Sequence, residues 1–159
     1  MLQLIPAPLH RQLYRLADRA RRVWWRVRRP RRSSVLVAAF DSDGRVLLAR
    51  HSYGPPVWAL LGGGIGRNED PEDAAMREFR EELRCELADL RLVTSFTQPD
   101  SGSQDQCYLF VARPASTPVP DMREIVEIGW FDPAALPQDV GKWAEAAVHE
   151  AVAWRSQQR

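Results

Sequence analysis

Residues 60–83 read LLGGGIGRNEDPEDAAMREFREEL, and no other stretch restricts the fold as tightly. Glycines at 62, 63, 64 and 66 form a bend in which backbone can approach another group closely. A helix start follows: Asp70 as N-cap, Pro71 in the first helical position, and Asp73 where an acid suits the positive end of the helix dipole. The helix is expected to run to about Arg84. Near its far end lie Glu78, Glu81 and Glu82, which share one face at spacings of three and four. Like charges so placed repel by roughly 0.2–0.5 kcal/mol per pair, so something must compensate them.

A glycine-rich turn leading into a helix can receive phosphate, yet carboxylates repel phosphate. A hard divalent cation reconciles the two. Mg²⁺ takes oxygen ligands from one or a few carboxylates and from substrate phosphates, keeping several waters. Such an ion stabilises charge on phosphoryl oxygens and activates a water for attack.

The rest of the chain supplies strands around this element. SVLVAAF reads as a buried strand, DSDG as a hairpin turn and RVLLAR as the returning strand. VWALL is a further apolar segment running into the glycines. LRLVTSF and QCYLFVA form a strand pair joined by a polar loop, TQPDSGSQD; RPASTPVPDM is a proline-rich connection; EIVEIGWF is another strand and DPAAL a short turn of helix. A last helix carries Trp143, Ala147, Val148, Ala151 and Trp154 on its apolar face. Strands and helices in this order predict an α/β protein, a mixed sheet covered by helices on both sides.

The net charge of +1 hides a sharp division. Residues 1–32 hold ten arginines and one acid, Asp18, so the domains divide into a basic arm at 1–32 and a main domain at 33–159. In the arm, Leu9, Leu13, Leu16, Ala20, Val23 and Val27 recur at helical spacing, predicting an amphipathic N-terminal basic helix over residues 8–29. Three roles stay open for it: packing on the domain or a second subunit in a homodimer, lying on an anionic membrane, or contacting RNA phosphates.

With 45% hydrophobic and 27% charged residues the composition is that of a globular chain, which excludes disorder as a default. Its longest apolar run, Val35 to Phe40, is far shorter than the ~18 residues of a membrane span. Cys85 and Cys107 fit neither a disulfide framework nor paired zinc ligands and read as buried residues, so a cytoplasmic location is expected, with peripheral membrane attachment left open by the arm.

Taken together, Gly63, five residues, Glu69, seven residues and then REFREEL resemble the Nudix box, the signature of the Nudix hydrolases of MutT type. That resemblance implies a Nudix-type α/β/α sandwich and a pyrophosphohydrolase that cleaves a diphosphate linkage in a small-molecule nucleotide or a related compound. It further implies Mg²⁺ or Mn²⁺ held by Glu78, Glu81 and Glu82, with the carbonyl of Gly62 completing the shell, and a supporting salt bridge between Arg77 and Glu69. Water would attack phosphorus, with Glu78 as a candidate base and Glu124 as a further ligand or base; Gly63, Gly64 and Trp58 would meet the substrate. Trp58 also fits a core position, Tyr53 could stack on a base, and His51 reads as an idle surface histidine.

The chain departs from the pattern at Arg84 and Cys85, where glycine and an aliphatic residue usually stand, at Asn68 in place of glycine, and at Leu61 and Gly66. Ending the helix at Arg84 requires a non-glycine residue in the left-handed region or a differently shaped exit. The competing reading is a nucleotide-binding or regulatory module of the same fold that does not hydrolyse.

Overall fold

The computed structural model describes residues 12–13, 16–17, 32–100 and 103–158. Its strands are β1 (Arg32–Ala39), β2 (Val46–His51), β3 (Leu87–Asp100), β4 (Ser103–Pro114) and β5 (Ile125–Phe131), and its helices α1 (Pro71–Leu83) and α2 (Lys142–Gln157). A mixed sheet has the order β1-β4-β3, with β1 parallel and β3 antiparallel to β4, while β2 and β5 pair antiparallel in a second sheet.

The glycine segment stitches the two sheets together. Ala59 exchanges backbone hydrogen bonds with Ala49 of β2, and residues 61–65 run antiparallel along β1: Val37 N–H donates to Leu61 O, Val35 N–H to Gly63 O, and Ile65 N–H to Ser33 O, each at 2.9 Å. This covers the β1 edge, which would otherwise expose unpaired backbone groups. Gly62 has φ +146°, and a Cβ there would stand 2.0 Å from the carbonyl oxygen of Val35, so no side chain fits.

Alternation along the strands sends Val35, Val37, Phe110 and Ala112 toward α1, where Ala74, Ala75, Phe79 and Leu83 complete one core. Ala38, Phe40, Leu109 and Val111 face the other way, onto Ala144, Ala147, Val148 and Ala151 of α2. The result is the expected α/β/α layering. Phe79 and Leu83 are fully buried, each contributing roughly 1.5–3 kcal/mol, and they fix which face of α1 turns outward.

The ends of α1 follow the sequence. Asp70 caps the start by accepting from Glu72 N–H at 2.8 Å. Arg84 ends the helix in the left-handed region, φ 50° and ψ 35°, its N–H returning to Arg80 O. An L-residue there costs about 1 kcal/mol relative to the right-handed helix. The proline-rich connection then meets carbonyls the helix leaves free, Val119 N–H donating to Leu83 O and Asp121 N–H to Glu82 O. Asn68 likewise takes φ 63°, as the sequence departure at that position requires.

Three local expectations are corrected. The polar loop TQPDSGSQD is largely strand, since β3 continues to Asp100 and β4 begins at Ser103. DPAAL forms no helix but a single turn closed by Ala135 N–H on Asp132 O. SVLVAAF and RVLLAR enter different sheets and are bridged at Phe40 and Val46 beside the turn, not paired along their length as the expected hairpin. The expected helix over residues 8–29 lies mostly outside the described residues; Gln12, Leu13, Leu16 and Ala17 are helical, with both leucines exposed.

Candidate active site

Where the glycine segment crosses the outward face of α1, a Cβ added to Gly63 would lie 2.4 Å from the carboxyl carbon of Glu78. Backbone and carboxylate are in contact, and only glycine permits it. The loop between them is braced by Arg77, whose Nε and Nη2 donate to the two oxygens of Glu69 at 2.7 and 2.9 Å while Nη2 also reaches Gly64 O at 3.0 Å. Glu69 accepts in addition from Gly66 N–H at 2.6 Å. The Arg77 guanidinium and this N–H hold the Glu69 carboxyl down at about 2. The family resemblance implied the Arg77–Glu69 pair, and in the structure it is bidentate.

Arg77 also serves the carboxylates. Its Nη1 is 2.7 Å from Glu78 Oε1 and 3.7 Å from Glu81 Oε2. Burial nonetheless raises the Glu78 pKa, Arg77 offsetting only part of the effect, and the charges of Glu81 and Glu124 add to the rise.

Glu82 is the most burdened member. It is 3% exposed, and its Oε2 has no hydrogen-bond partner. Burial pushes its pKa up to about 7, with the charges of Glu124 and Glu78 acting in the same direction and His51 opposing them. His51 Nε2 lies 3.8 Å from Glu82 Oε1. Burial works against a charged imidazole, but Glu82, with Glu124 and Asp121 beyond it, outweighs that and raises the His51 pKa. The expectation of an idle surface histidine is therefore corrected.

The fourth acid, Glu124, is placed by its backbone. Asp121 Oδ1 accepts from the N–H groups of Arg123, Glu124 and Ile125 at 3.0, 3.0 and 2.9 Å. Glu124 O in turn receives Ser52 N–H at 2.8 Å, and Tyr53 donates its hydroxyl to Glu124 Oε1. Tyr53 thus holds an acid of the cluster, with its ring edge toward His51. Ser52 and Asp121 were not singled out from sequence; the proline-rich connection that carries Asp121 gave no sign that it folds back onto α1. Trp58 occupies the core position: it is 7% exposed, packed edge-on to Phe131 and beneath Arg50.

As they stand, no three His, Cys, Asp or Glu side chains among the described residues converge on one point suited to an ion. Glu78 and Glu81 lean to Arg77, and Glu82 to His51. The donor set still fits a hard cation, because Glu78, Glu82 and Glu124 lie near enough for their charges to act on one another and one buried carboxylate oxygen lacks any partner.

Comparison with known proteins identifies the family of the chain. The family model described as NUDIX domain matches residues 30–151. A protein named NAD-capped RNA hydrolase NudC, from Edwardsiella ictaluri, is 32% identical over 127 residues, covering 78% of this chain and 49% of that protein. An isopentenyl-diphosphate Delta-isomerase from Agromyces mediolanus is 32% identical over 118 residues, covering 66% of this chain and 57% of its own length. The chain thus spans about half the length of these curated relatives. The crystal structure of a MutT NUDIX hydrolase from Burkholderia pseudomallei superposes with a TM-score of 0.69 at 26% identity, covering 76% of this chain and 98% of the other. With most of its residues inside the family match, the chain belongs to the NUDIX domain family.

Proposed function

We propose that the protein is a divalent-metal-dependent pyrophosphohydrolase that cleaves a diphosphate linkage in a nucleotide derivative. The observation that carries this reading is Glu82, a carboxylate buried at 3% exposure with an unpartnered oxygen, set among Glu78, Glu124 and His51. A binding module gains nothing from such a group. Glu78, Glu81 and Glu82, with the Gly62 carbonyl, would hold Mg²⁺ or Mn²⁺, which supplies Lewis-acid stabilisation of the phosphoryl oxygens and lowers the pKa of a water.

The chain's own groups then divide the remaining work. Arg77 and Glu69 keep the loop against α1, fixing the distance between the Gly63 backbone and Glu78. Glu78, set against the Gly63 backbone, is the candidate acceptor for the proton of the attacking water. The new bond forms between that water's oxygen and phosphorus, and the bond from phosphorus to the bridging oxygen breaks. His51 and Tyr53 hold Glu82 and Glu124 in place. The names of relatives favour substrates of two kinds, since one is called a hydrolase of NAD-capped RNA and another an isomerase of a prenyl diphosphate. The second name specifies a diphosphate, and NAD itself contains a pyrophosphate linkage.

The test is a hydrolysis screen with Mg²⁺ and Mn²⁺ over nucleoside triphosphates, nucleotide sugars, dinucleotides and 5′-phosphorylated RNA, reading phosphate, pyrophosphate and nucleoside monophosphate separately. Turnover that disappears in Glu82→Gln, with circular dichroism unchanged, is the expected result. Full activity in that variant would sink the assignment. Turnover of isopentenyl diphosphate to its isomer, without hydrolysis of the panel, would transfer the site to the isomerase chemistry.

A further inference from the structure

A cavity of about 510 Å³ opens at the C-terminal end of α1, lined by Glu81, Arg84, Asp121 and Arg123. It adjoins the carboxylate cluster, because Glu81 belongs to both. Three of its four charges are already engaged, Arg123 among them. Asp121 Oδ1 takes three backbone N–H groups, and Glu81 stands 3.7 Å from Arg77 Nη1 and is one of the three carboxylates assigned to the ion. The Arg84 side chain, by contrast, is exposed and forms no ion pair or hydrogen bond among the described residues.

The backbone of Arg84 gives a second, independent reason to look here. It holds the left-handed conformation that glycine adopts without strain, at φ 50°. The cap hydrogen bond from its N–H to Arg80 O could be made by any residue except proline, so the cap itself does not call for arginine. What arginine adds is a planar, permanently charged fork suited to phosphate, placed one turn beyond Arg80 and two residues after Glu82.

We propose that this cavity receives a phosphate of the substrate lying beyond the cleaved diphosphate, with Arg84 as the specificity-determining cation. The ligand chemistry is phosphate, carried by an extended polyphosphate chain or by a nucleic-acid backbone. The proposal rests on the hydrolase reading for the position of the cleaved bond.

Its test is the Arg84→Gly variant of the full chain, with binding measured in Ca²⁺-containing buffer so that it is read apart from turnover. The probes are inorganic tripolyphosphate and a short single-stranded RNA bearing a 5′-triphosphate. Because glycine relieves the strain, the variant should melt about 2–4 °C higher than the parent, which separates loss of binding from loss of fold. The dissociation constant should rise about tenfold, and for RNA the salt dependence should weaken by about one counterion. Arg84→Lys should fall between the two. Loss on both probes supports the assignment and places a phosphate chain in the cavity; loss on RNA alone supports it and places the nucleic-acid backbone there. Unchanged affinity for both probes overturns it, whatever the melting temperature. Failure of the hydrolase reading would show separately, as a parent protein that binds the probes without hydrolysing any member of the screen.

Discussion

Arg77 and Glu69 meet through two parallel hydrogen bonds, 2.7 Å from Nε to Oε1 and 2.9 Å from Nη2 to Oε2, so that a helix residue grips the loop preceding its own helix. The same guanidinium touches Glu78 and the Gly64 carbonyl. One side chain therefore sets both the loop and a carboxylate of the cluster. Lysine cannot reproduce that fork. Arg77→Lys should lower metal affinity and turnover by about 10–100-fold, the usual cost of losing a group that orients ligands, as followed by Mg²⁺ calorimetry and initial rates.

Glu69 also makes a pH prediction. Its carboxyl is held at about 2, below the ordinary carboxylate value, by Arg77 and the Gly66 N–H. A group whose folded pKa is depressed adds stability above its unfolded pKa, and that contribution disappears as pH falls through the folded value. The loop clamp should therefore persist through mild acid and be lost between about 4.5 and about 2. Carbon-detected NMR of the glutamate carboxyls should show one resonance titrating near 2, returning toward the common range in Arg77→Ala.

Glu82 is expected to oppose stability while serving the site. A buried, unpartnered carboxylate oxygen costs free energy whenever the group is charged, and glutamine removes the charge with little change in volume. Without divalent metal at pH 8, Glu82→Gln should be more stable by roughly 1–3 kcal/mol in urea unfolding. Added Mg²⁺ should raise the midpoint of the parent and leave the variant nearly unmoved. A less stable variant would mean that the pairing with His51 at 3.8 Å outweighs the burial cost.

Much of this site could be read from the chain because its signals are local. Asp70 and Pro71 mark the helix start by their own backbone chemistry, and the Gly63–Glu69–Arg77 spacing brings its residues together within one loop and helix. His51, Ser52 and Asp121 were opaque for the opposite reason. Their roles arise only when β2 and the proline-rich connection fold against the end of α1, a long-range event with no periodic trace in sequence. The β3–β4 extension was hidden because its residues are polar, and Thr97 and Gln106 pair across strands without apolar alternation. Arg84 was legible as a departure, and of the two exits left open there the structure takes the left-handed backbone.

The two glycines nearest the cluster should fail differently. At Gly62 an added methyl meets the Val35 backbone at 2.0 Å, and backbone in a paired strand cannot yield. Gly62→Ala should cost several kcal/mol and lower the melting temperature sharply. At Gly63 the added methyl meets the Glu78 carboxylate, which can swing aside. Gly63→Ala should therefore retain its fold and lose metal affinity and turnover, by about 100-fold. Thermal melts run beside metal titrations distinguish the two.

Away from the cluster, Asp105 of β4 is 2% exposed, and among the described residues its side chain takes a hydrogen bond from Ser34. Ser34 donates its hydroxyl to Asp105 Oδ2 at 2.5 Å, and Oδ1 has no partner. Removing the donor leaves the buried carboxylate without any hydrogen bond, whereas replacing Asp105 by asparagine keeps an acceptor for Ser34 and removes the charge. Ser34→Ala should destabilise by about 1–3 kcal/mol, while Asp105→Asn should be neutral or stabilising. Combining the two should cost less than the sum of their separate effects, because the charge that Ser34 satisfies is already gone. Urea denaturation of the four proteins in this cycle measures the coupling directly, and strict additivity would show that Ser34 contributes only through packing.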